Sequence, residues 1–209
     1  QYGSLDQEED RVYVRVGALE NVTLGYGLMM SDYRNTLDEP GTKKTGLDVA
    51  VRDLSAWSVG VRALVNDLLD LSRGRALIGT RLSARPVFHP DEAGMGRLEV
   101  GLTVVSDTDH YEGLRGRNLL TKPPRDAMSM AGLDAAYPIW DQEHAQLTLY
   151  GQYARIVERG GVKGEGFGAP GLLLVLGPLK AKAEYRRYAH QFRPQYFDDL
   201  YEKSRARYD

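Results

Sequence analysis

Apolar and polar residues alternate one by one along most of this chain. Successive side chains of an extended strand point to opposite faces, so this two-residue period predicts strands with one apolar and one polar face. The alternating segments are 11–16, 22–30, 47–52, 57–66, 78–85, 98–105, 132–137, 146–153 and 179–186. Residues 164–176 are rich in glycine and then continuously apolar, which predicts a tenth strand without assigning its faces. Helices are predicted only as short pieces, within 67–71 and 197–207.

The lengths of the strands and of their connections favour a membrane setting. Most of the predicted strands are about 9–12 residues long, the length with which a tilted strand crosses a bilayer, whereas soluble strands average about 5–6. Short links at 18–20, 53–56, 140–143 and 177–178 roughly alternate with long links at 31–43, 67–75 and 107–126. The link at 88–96 is intermediate and breaks the alternation, and the link at 158–163 is modest. Outer-membrane barrels alternate short periplasmic turns with longer external loops in the same way.

The pattern therefore predicts an all-β fold, an antiparallel up-and-down transmembrane β-barrel with about ten meandering strands. We expect one domain over residues 1–209, with a polar N-terminal segment at 1–10 and a polar C-terminal segment or external loop at 191–209. Lipid offers an open strand edge no hydrogen-bond partner, so the sheet must close. An interfacial aromatic girdle is predicted near the short turns, at Trp57, Phe88, Tyr137 and Trp140.

Composition narrows the function classes. With 27 basic and 29 acidic residues and a net charge of −2, the chain lacks the basic footprint of a nucleic-acid-binding protein. It contains no cysteine, which excludes disulfides and thiolate metal sites. No run of about 18 apolar residues predicts a transmembrane helix. The negative mean hydropathy fits a barrel, because only alternate residues face lipid. We expect no cofactor.

The polar face of the predicted strands would line the lumen of a barrel. Its charged candidates are Arg15, Asp48, Arg62, Arg81, Arg85, Glu99, Asp134, Lys180, Lys182, Glu184 and Arg186, and Arg52 alternates in the same way. Basic residues outnumber acidic residues on this face. Rings of like charge bias permeation, so the excess predicts a mild preference for anions. The competing interpretation is the solvated outer face of a soluble antiparallel sheet.

The start of the longest link carries a candidate catalytic pair. Asp107 and His110 begin the longest link, where a carboxylate and an imidazole together can act as orienter and general base of a hydrolase. The competing interpretation is a polar external loop that opens on turn-forming residues. The four histidines, His89, His110, His144 and His190, are scattered, and none has metal-ligand spacing. No metal site is predicted.

Three segments carry a family resemblance: 22–28, 57–67 and 98–107. They resemble porin-like outer-membrane proteins of Gram-negative bacteria. The resemblance implies a barrel in the bacterial outer membrane that contacts lipid and acts as a passive pore for small hydrophilic solutes, and it carries over no catalytic residue. Such barrels usually end on a strand with a terminal aromatic residue, whereas this chain ends on the polar run 201–209. We therefore expect part of a larger barrel. The alternatives are an outer-membrane hydrolase with an Asp/His rim site and a soluble β-barrel or sandwich that binds a ligand.

Overall fold

The computed structural model describes residues 4–5, 11–36, 44–54, 57–86, 97–109, 127–142, 145–158 and 161–204. The fold is all-β. Its strands are β1 Ser4–Leu5, β2 Val12–Gly17, β3 Gly46–Val51, β4 Gly60–Val65, β5 Leu77–Ala84, β6 Glu99–Asp107, β7 Met128–Gln142, β8 Ala145–Glu158, β9 Gly161–Leu176 and β10 Leu179–His190. Two short helices are described, α1 Leu68–Ser72 and α2 Tyr201–Ser204. Neither is long and apolar enough to cross a membrane.

The strands form one antiparallel up-and-down sheet in chain order, nine longer strands preceded by the two-residue β1. Each strand pairs with the next one in sequence, as short hairpin connections favour. Within the described residues no ladder joins β10 to β1 or β2, so the sheet is open there. The all-β, up-and-down prediction is therefore confirmed, and closure into a barrel is not.

The outer face of the sheet carries an exposed apolar band, and exposed charged residues adjoin the band on β8, β9 and β10: Arg155, Glu165 and Arg187. One continuous cross-strand row runs through Val12, Val51, Val61, Leu82, Leu102, Leu133, Tyr153 and Phe167. Leu133 is 59% exposed and Phe167 47% exposed. An antiparallel sheet in water normally buries its apolar face and exposes its polar one. This sheet instead leaves an apolar band exposed on its outer face.

The predicted strand at 22–30 is wrong. These residues lie within a segment, 18–36, that covers the opposite face of the sheet; we call them the inner segment and the inner face. Gly25 and Gly27 have φ of 60° and 75° and turn the chain back, so that Val22 pairs with Tyr33 in an isolated bridge. Apolar residues at both odd and even positions are buried here. The alternation in the sequence therefore does not correspond to the two faces of a strand. The predicted links at 18–20 and 31–43 are accordingly one connection, from β2 to β3.

The residues after β10 pack against the inner segment. The amides of Gln195 and Phe197 donate to the carbonyls of Leu28 and Met29 at 2.8 and 3.1 Å, and the Ser31 amide donates to the Phe197 carbonyl at 3.1 Å. The aromatic side chains of the residues after β10 pack in one buried cluster with the inner segment and the sheet. The cluster consists of Leu19, Val22, Leu24, Leu28, Met29, Met30, Tyr33, Leu64, Leu77, Val105, Met128, Met130, Ala154, Ile156, Phe192, Phe197 and Tyr201. The hydrophobic core therefore lies on the inner face.

Strand lengths differ across the sheet. β6 to β10 have 9 to 16 residues, as a bilayer-crossing strand requires, but β2, β3 and β4 have six. Gly17, at φ 121°, ends β2, and Asp53, at φ 54°, follows β3. Ladder hydrogen bonds continue a little further, since the Arg85 amide donates to the Trp57 carbonyl at 2.8 Å. The long strands that the sequence predicts for most of the chain are therefore found in β6 to β10 and not in β2 to β4.

The connections define two rims. The short-turn rim carries the ends of β3, β5, β7 and β9 and the starts of β4, β6, β8 and β10. The long-loop rim carries the ends of β2, β4, β6 and β8, the starts of β3, β5, β7 and β9, and residues 191–204. The buried apolar cluster fills the inner face on the side of the long-loop rim, and charged residues occupy the rest of it.

Candidate functional site on the inner face

Two arginines lie directly opposite each other on the inner face. Arg62 of β4 and Arg81 of β5 are cross-strand partners, an arrangement that repels unless each charge is balanced. The Arg62 Nε and Nη2 donate to Asp48 at 3.0 and 2.6 Å, and the Asp48 side chain is fully buried. Arg81 forms a bidentate pair with Asp134, with Nη2 to Oδ1 at 2.8 Å. Both charges are thus neutralised within the wall.

Gly101 makes the second pair possible. Asp134 lies on β7, so Arg81 must reach over the whole of β6 to contact it. A Cβ at position 101 would lie 2.5 Å from Arg81 Nη2. The bare backbone of Gly101 therefore provides the path along which the guanidinium lies, and Thr103 of the same strand accepts a bond from its Nη1 at 3.1 Å.

Glu184 of β10 organises a second charged cluster. Its carboxylate accepts from Gln152 Nε2 at 2.6 Å and from the Tyr150 hydroxyl at 3.2 Å, and it forms ion pairs with Lys182 at 3.2 Å and Arg186 at 3.0 Å. The Glu184 side chain is only 3% exposed. A buried carboxylate of this kind persists because several donors compensate for its lost hydration.

The backbone of β9 makes room for that cluster. Ala169 and Pro170 oppose the single residue Gly151 on one side and Tyr185 on the other, which is a β-bulge. The glycines on either side of the bulge face inward. A Cβ at Gly168 would overlap the Glu184 carboxylate, and one at Gly171 would overlap the Tyr150 ring.

The tip of the inner segment, residues 23–28, contacts this cluster. Tyr26 stacks on Tyr150 with ring centroids 4.1 Å apart and planes inclined by 9°. The Tyr26 carbonyl accepts from Gln152 Nε2 at 3.3 Å and from Lys182 Nζ, while the Leu28 amide donates to Gln152 Oε1 at 3.1 Å. Burial, and then the carboxylates of Glu99 and Asp134, raise the pKa of the Tyr26 hydroxyl, which stays neutral. We call the contacts of Tyr26 and Leu28 with Tyr150, Gln152 and Lys182 the latch.

A polar cavity of about 290 Å³ lies beside the tip. It is lined by Thr23, Gly25 and Tyr26 of the inner segment and by inward residues of β3 to β6 with their flanking residues, among them Arg52, Arg62, Arg81, Ser83 and Glu99. The carboxylates of Asp48 and Asp134 are buried in the wall, while Arg62 and Arg81 remain 14% and 13% exposed. The cavity therefore presents guanidinium groups, hydroxyls and one carboxylate to water.

Most of the predicted lumen residues lie on the inner face. Asp48, Arg62, Arg81, Asp134, Lys182, Glu184 and Arg186 form the ion pairs described above, and Glu99 lies 3.7 Å from Arg81. Arg15 is the cross-strand partner of Asp48 and donates to the Glu20 carbonyl at 3.3 Å. Arg85 and Lys180 are exposed near the short-turn rim, outside both clusters.

The predicted aromatic girdle lies partly outside the described residues. Trp57 and Trp140 are 48% and 45% exposed near the short-turn rim, and Tyr137 is half-buried on β7. Phe88 is not among the residues that the structure describes. The interfacial role of these residues stays a prediction.

Sequence reasoning missed the latch residues as a site. Alternation places Tyr150 and Gln152 on the polar face, but they carry no charge and therefore do not stand out among the lumen candidates. Alternation also predicts a strand at Tyr26, where the structure has a turn. The available signal was the spacing of Gly25 and Gly27, because two glycines around a tyrosine favour a turn over a continuous strand.

The predicted Asp/His pair is only half described. Asp107 is buried, and its carboxylate accepts from the Tyr201 hydroxyl at 2.5 Å and from the Asp109 amide at 2.9 Å. Its contacts tie β6 to the residues after β10. His110 lies outside the described residues, so a catalytic pair stays a hypothesis. In the part of the chain that the structure describes, no cluster of His, Asp and Glu could hold a metal ion.

Comparison with known proteins adds no relative. No protein-family model, curated protein or solved structure matches this chain.

Proposed function

We propose that this chain forms the wall of a β-barrel in the bacterial outer membrane, with its outer face in lipid. The observation that carries the proposal is the exposed apolar band on the outer face of the sheet. The band runs from Val12 to Phe167, while the covered face holds the buried core cluster and the ion pairs Arg62–Asp48 and Arg81–Asp134. Exposed apolar areas of this extent mark contact with lipid or protein. An outward-apolar and inward-polar alternation is typical of membrane barrels.

The curvature of the sheet supports closure. Arg62 Nη1 of β4 donates to the Thr23 carbonyl at 3.4 Å, and Lys182 Nζ of β10 donates to the Tyr26 carbonyl. These strands are six positions apart, about 29 Å along a flat sheet at ~4.8 Å per strand. Both side chains nevertheless donate to carbonyls within residues 23–26, so the sheet curves around the tip. We propose that the edges of β10 and of the first strands are joined in the membrane, either to each other or through further strands.

We propose a porin-like role for the interior, as a passive path for small hydrophilic solutes. The polar cavity beside the tip and the charged inner face support it, because permeating solutes need a hydrated lining. The guanidinium groups of Arg62 and Arg81 face the cavity while their carboxylate partners are buried, which supports a mild anion preference.

Two measurements test the proposal. A folded membrane barrel should require detergent or lipid to stay monodisperse and should shift on a gel when heated. A protein that is monodisperse without detergent and shows no heat-dependent shift would refute the membrane assignment. For the pore, purified protein in planar bilayers should give current steps, and a KCl gradient should give a reversal potential of the sign that anion flow produces.

A further inference from the structure

We propose that the outer face of β8, β9 and β10 binds the phosphate headgroups of membrane lipids near the long-loop rim. Three exposed basic residues carry the proposal, Arg155 of β8, Lys163 of β9 and Arg187 of β10, and we call them the basic patch. The inference rests on the proposed membrane location and adds the class of lipid that the protein prefers at its surface. It does not depend on whether the interior conducts.

The basic patch begins where the apolar row ends. Phe167 is the last apolar member of that row, and its cross-strand partner on β10 is Arg187. In the next row toward the long-loop rim, Ala131 of β7 pairs with Arg155 of β8, which pairs with Glu165 of β9. Arg155, Glu165 and Arg187 are all exposed. Charged side chains therefore directly adjoin apolar ones on the face that we place in lipid.

The heights of these charges match the far boundary of a bilayer. Arg155 lies ten residues from the short-turn end of β8, Glu165 eleven from that of β9 and Arg187 eight from that of β10. A strand rises about 3.3 Å per residue and barrel strands tilt by about 40°, so the charges lie roughly 20–28 Å above the short-turn ends. The apolar band of a membrane barrel is about 25 Å tall. With the short-turn ends at one membrane surface, the basic patch lies at the headgroups of the other.

The outward side chains between the short-turn rim and the patch are ordered as a lipid is. Among the described residues of β8, β9 and β10, this part of the outer face carries no charge. Tyr153, Phe167 and Tyr185 form an aromatic layer next to the patch, and Phe167 and Tyr185 are 47% and 63% exposed. Aromatic rings favour the membrane interface. Aliphatic residues such as Leu149 and Leu172 lie nearer the short-turn rim, at the depth of the acyl chains.

The charge balance of the patch selects an anion. Among the outward-facing residues described on these three strands, Glu165 is the one acid, and it faces three basic residues. Its carboxylate accepts a hydrogen bond from the Tyr153 hydroxyl at 2.8 Å. The patch therefore keeps an excess of positive charge. Arginine binds phosphate through paired hydrogen bonds, and a lipid phosphate is an anion that the membrane itself holds at this height.

Spin-labelled lipids measure the preference, because their electron spin resonance spectra separate lipid held at the protein surface from bulk lipid. In phosphatidylcholine vesicles at low salt, we expect labelled phosphatidic acid to associate with the wild type about fivefold more strongly than labelled phosphatidylcholine. In Arg155→Gln with Arg187→Gln, the ratio should fall toward one. The control, Arg73→Gln with Arg85→Gln, removes two exposed arginines outside the patch and should keep the wild-type ratio.

A second variant tests the patch in the opposite direction. Glu165→Gln removes the one acid, so the ratio should rise above that of the wild type. High salt should lower the ratio in both proteins, because it screens exposed charges. A ratio in Glu165→Gln that does not exceed the wild-type value would overturn the patch. This variant also serves if the double arginine variant fails to fold.

The membrane location and the lipid preference fail in different ways. A heat-modifiable gel shift first establishes that each protein is folded. Folded wild-type protein that holds no labelled lipid at its surface would refute the membrane location. Surface lipid with the same ratio in the wild type and in the double arginine variant would leave the membrane location standing and overturn the phosphate site.

Discussion

The ring of Tyr26 lies flat on the ring of Tyr150, with centroids 4.1 Å apart. One ring belongs to the inner segment and the other to the sheet, so this contact joins the two parts of the fold. It exists because Gly171, the cross-strand neighbour of Tyr150, has no side chain in the space that the ring fills. A glycine on β9 thus decides where a segment more than a hundred residues earlier in the chain is held.

Gly171→Ala should destabilise the folded protein. The added methyl group overlaps the Tyr150 ring, which must move and lose its stack on Tyr26. Overpacking of this kind costs about 1–3 kcal/mol, so the urea midpoint of unfolding in detergent should fall. Gly151→Ala is the control, because its methyl group would meet only Ala169 Cβ at 3.2 Å. If both variants unfold at the same urea concentration, the close packing at Gly171 does not contribute to the free energy of unfolding.

Asp48→Asn should be far more harmful than Asp141→Asn. Asp48 is fully buried against Arg62, and its neutralisation removes the carboxylate that balances this mostly buried guanidinium, a loss of about 3–5 kcal/mol for such pairs. Asp141 pairs with Arg97 at 3.0 Å, but both side chains are well exposed, and exposed pairs contribute about 0–1 kcal/mol. Unfolding of both variants in urea measures the difference. An effect of Asp48→Asn no larger than that of Asp141→Asn would contradict the stabilising role of the Arg62–Asp48 pair.

The two tryptophans should report the membrane interface. Trp57 and Trp140 are the only tryptophans in the chain, and both are exposed near the short-turn rim. Indole rings favour the headgroup region, so lipids brominated high on the acyl chain should quench their fluorescence more than lipids brominated near its end. Stronger quenching by the deep bromines would contradict the girdle.

The sequence predicted the strands whose two faces differ. Alternation correctly predicted strands from 47–52 through 98–105 and in 146–153 and 179–186. It also predicted that Arg62, Arg81 and Glu184 share one face, because successive side chains of a strand point to opposite faces of the sheet. It failed at 22–30, where residues at both odd and even positions are buried in contacts with the sheet and with residues 192–201. Such long-range packing leaves no local period.

The pairing of charges was likewise not predictable. Alternation placed Arg81 and Asp134 on one face, but they lie on strands separated by β6, and only the absence of a side chain at Gly101 lets them meet. The bulge at Ala169 and Pro170 explains why 164–176 could not be assigned a face, since an extra residue reverses the parity of the strand.

The central claim is that the outer face of the sheet contacts lipid, and nitroxide accessibility tests it most directly. Single cysteines at Leu102 and Leu133 would carry spin labels on the outer face, and one at Leu69, 55% exposed in α1 between β4 and β5, would carry the aqueous control. In lipid vesicles we expect the labels at 102 and 133 to be relaxed by oxygen and shielded from a polar nickel complex, with the reverse at 69. Labels at 102 and 133 that the nickel complex reaches as readily as the label at 69 would contradict the account.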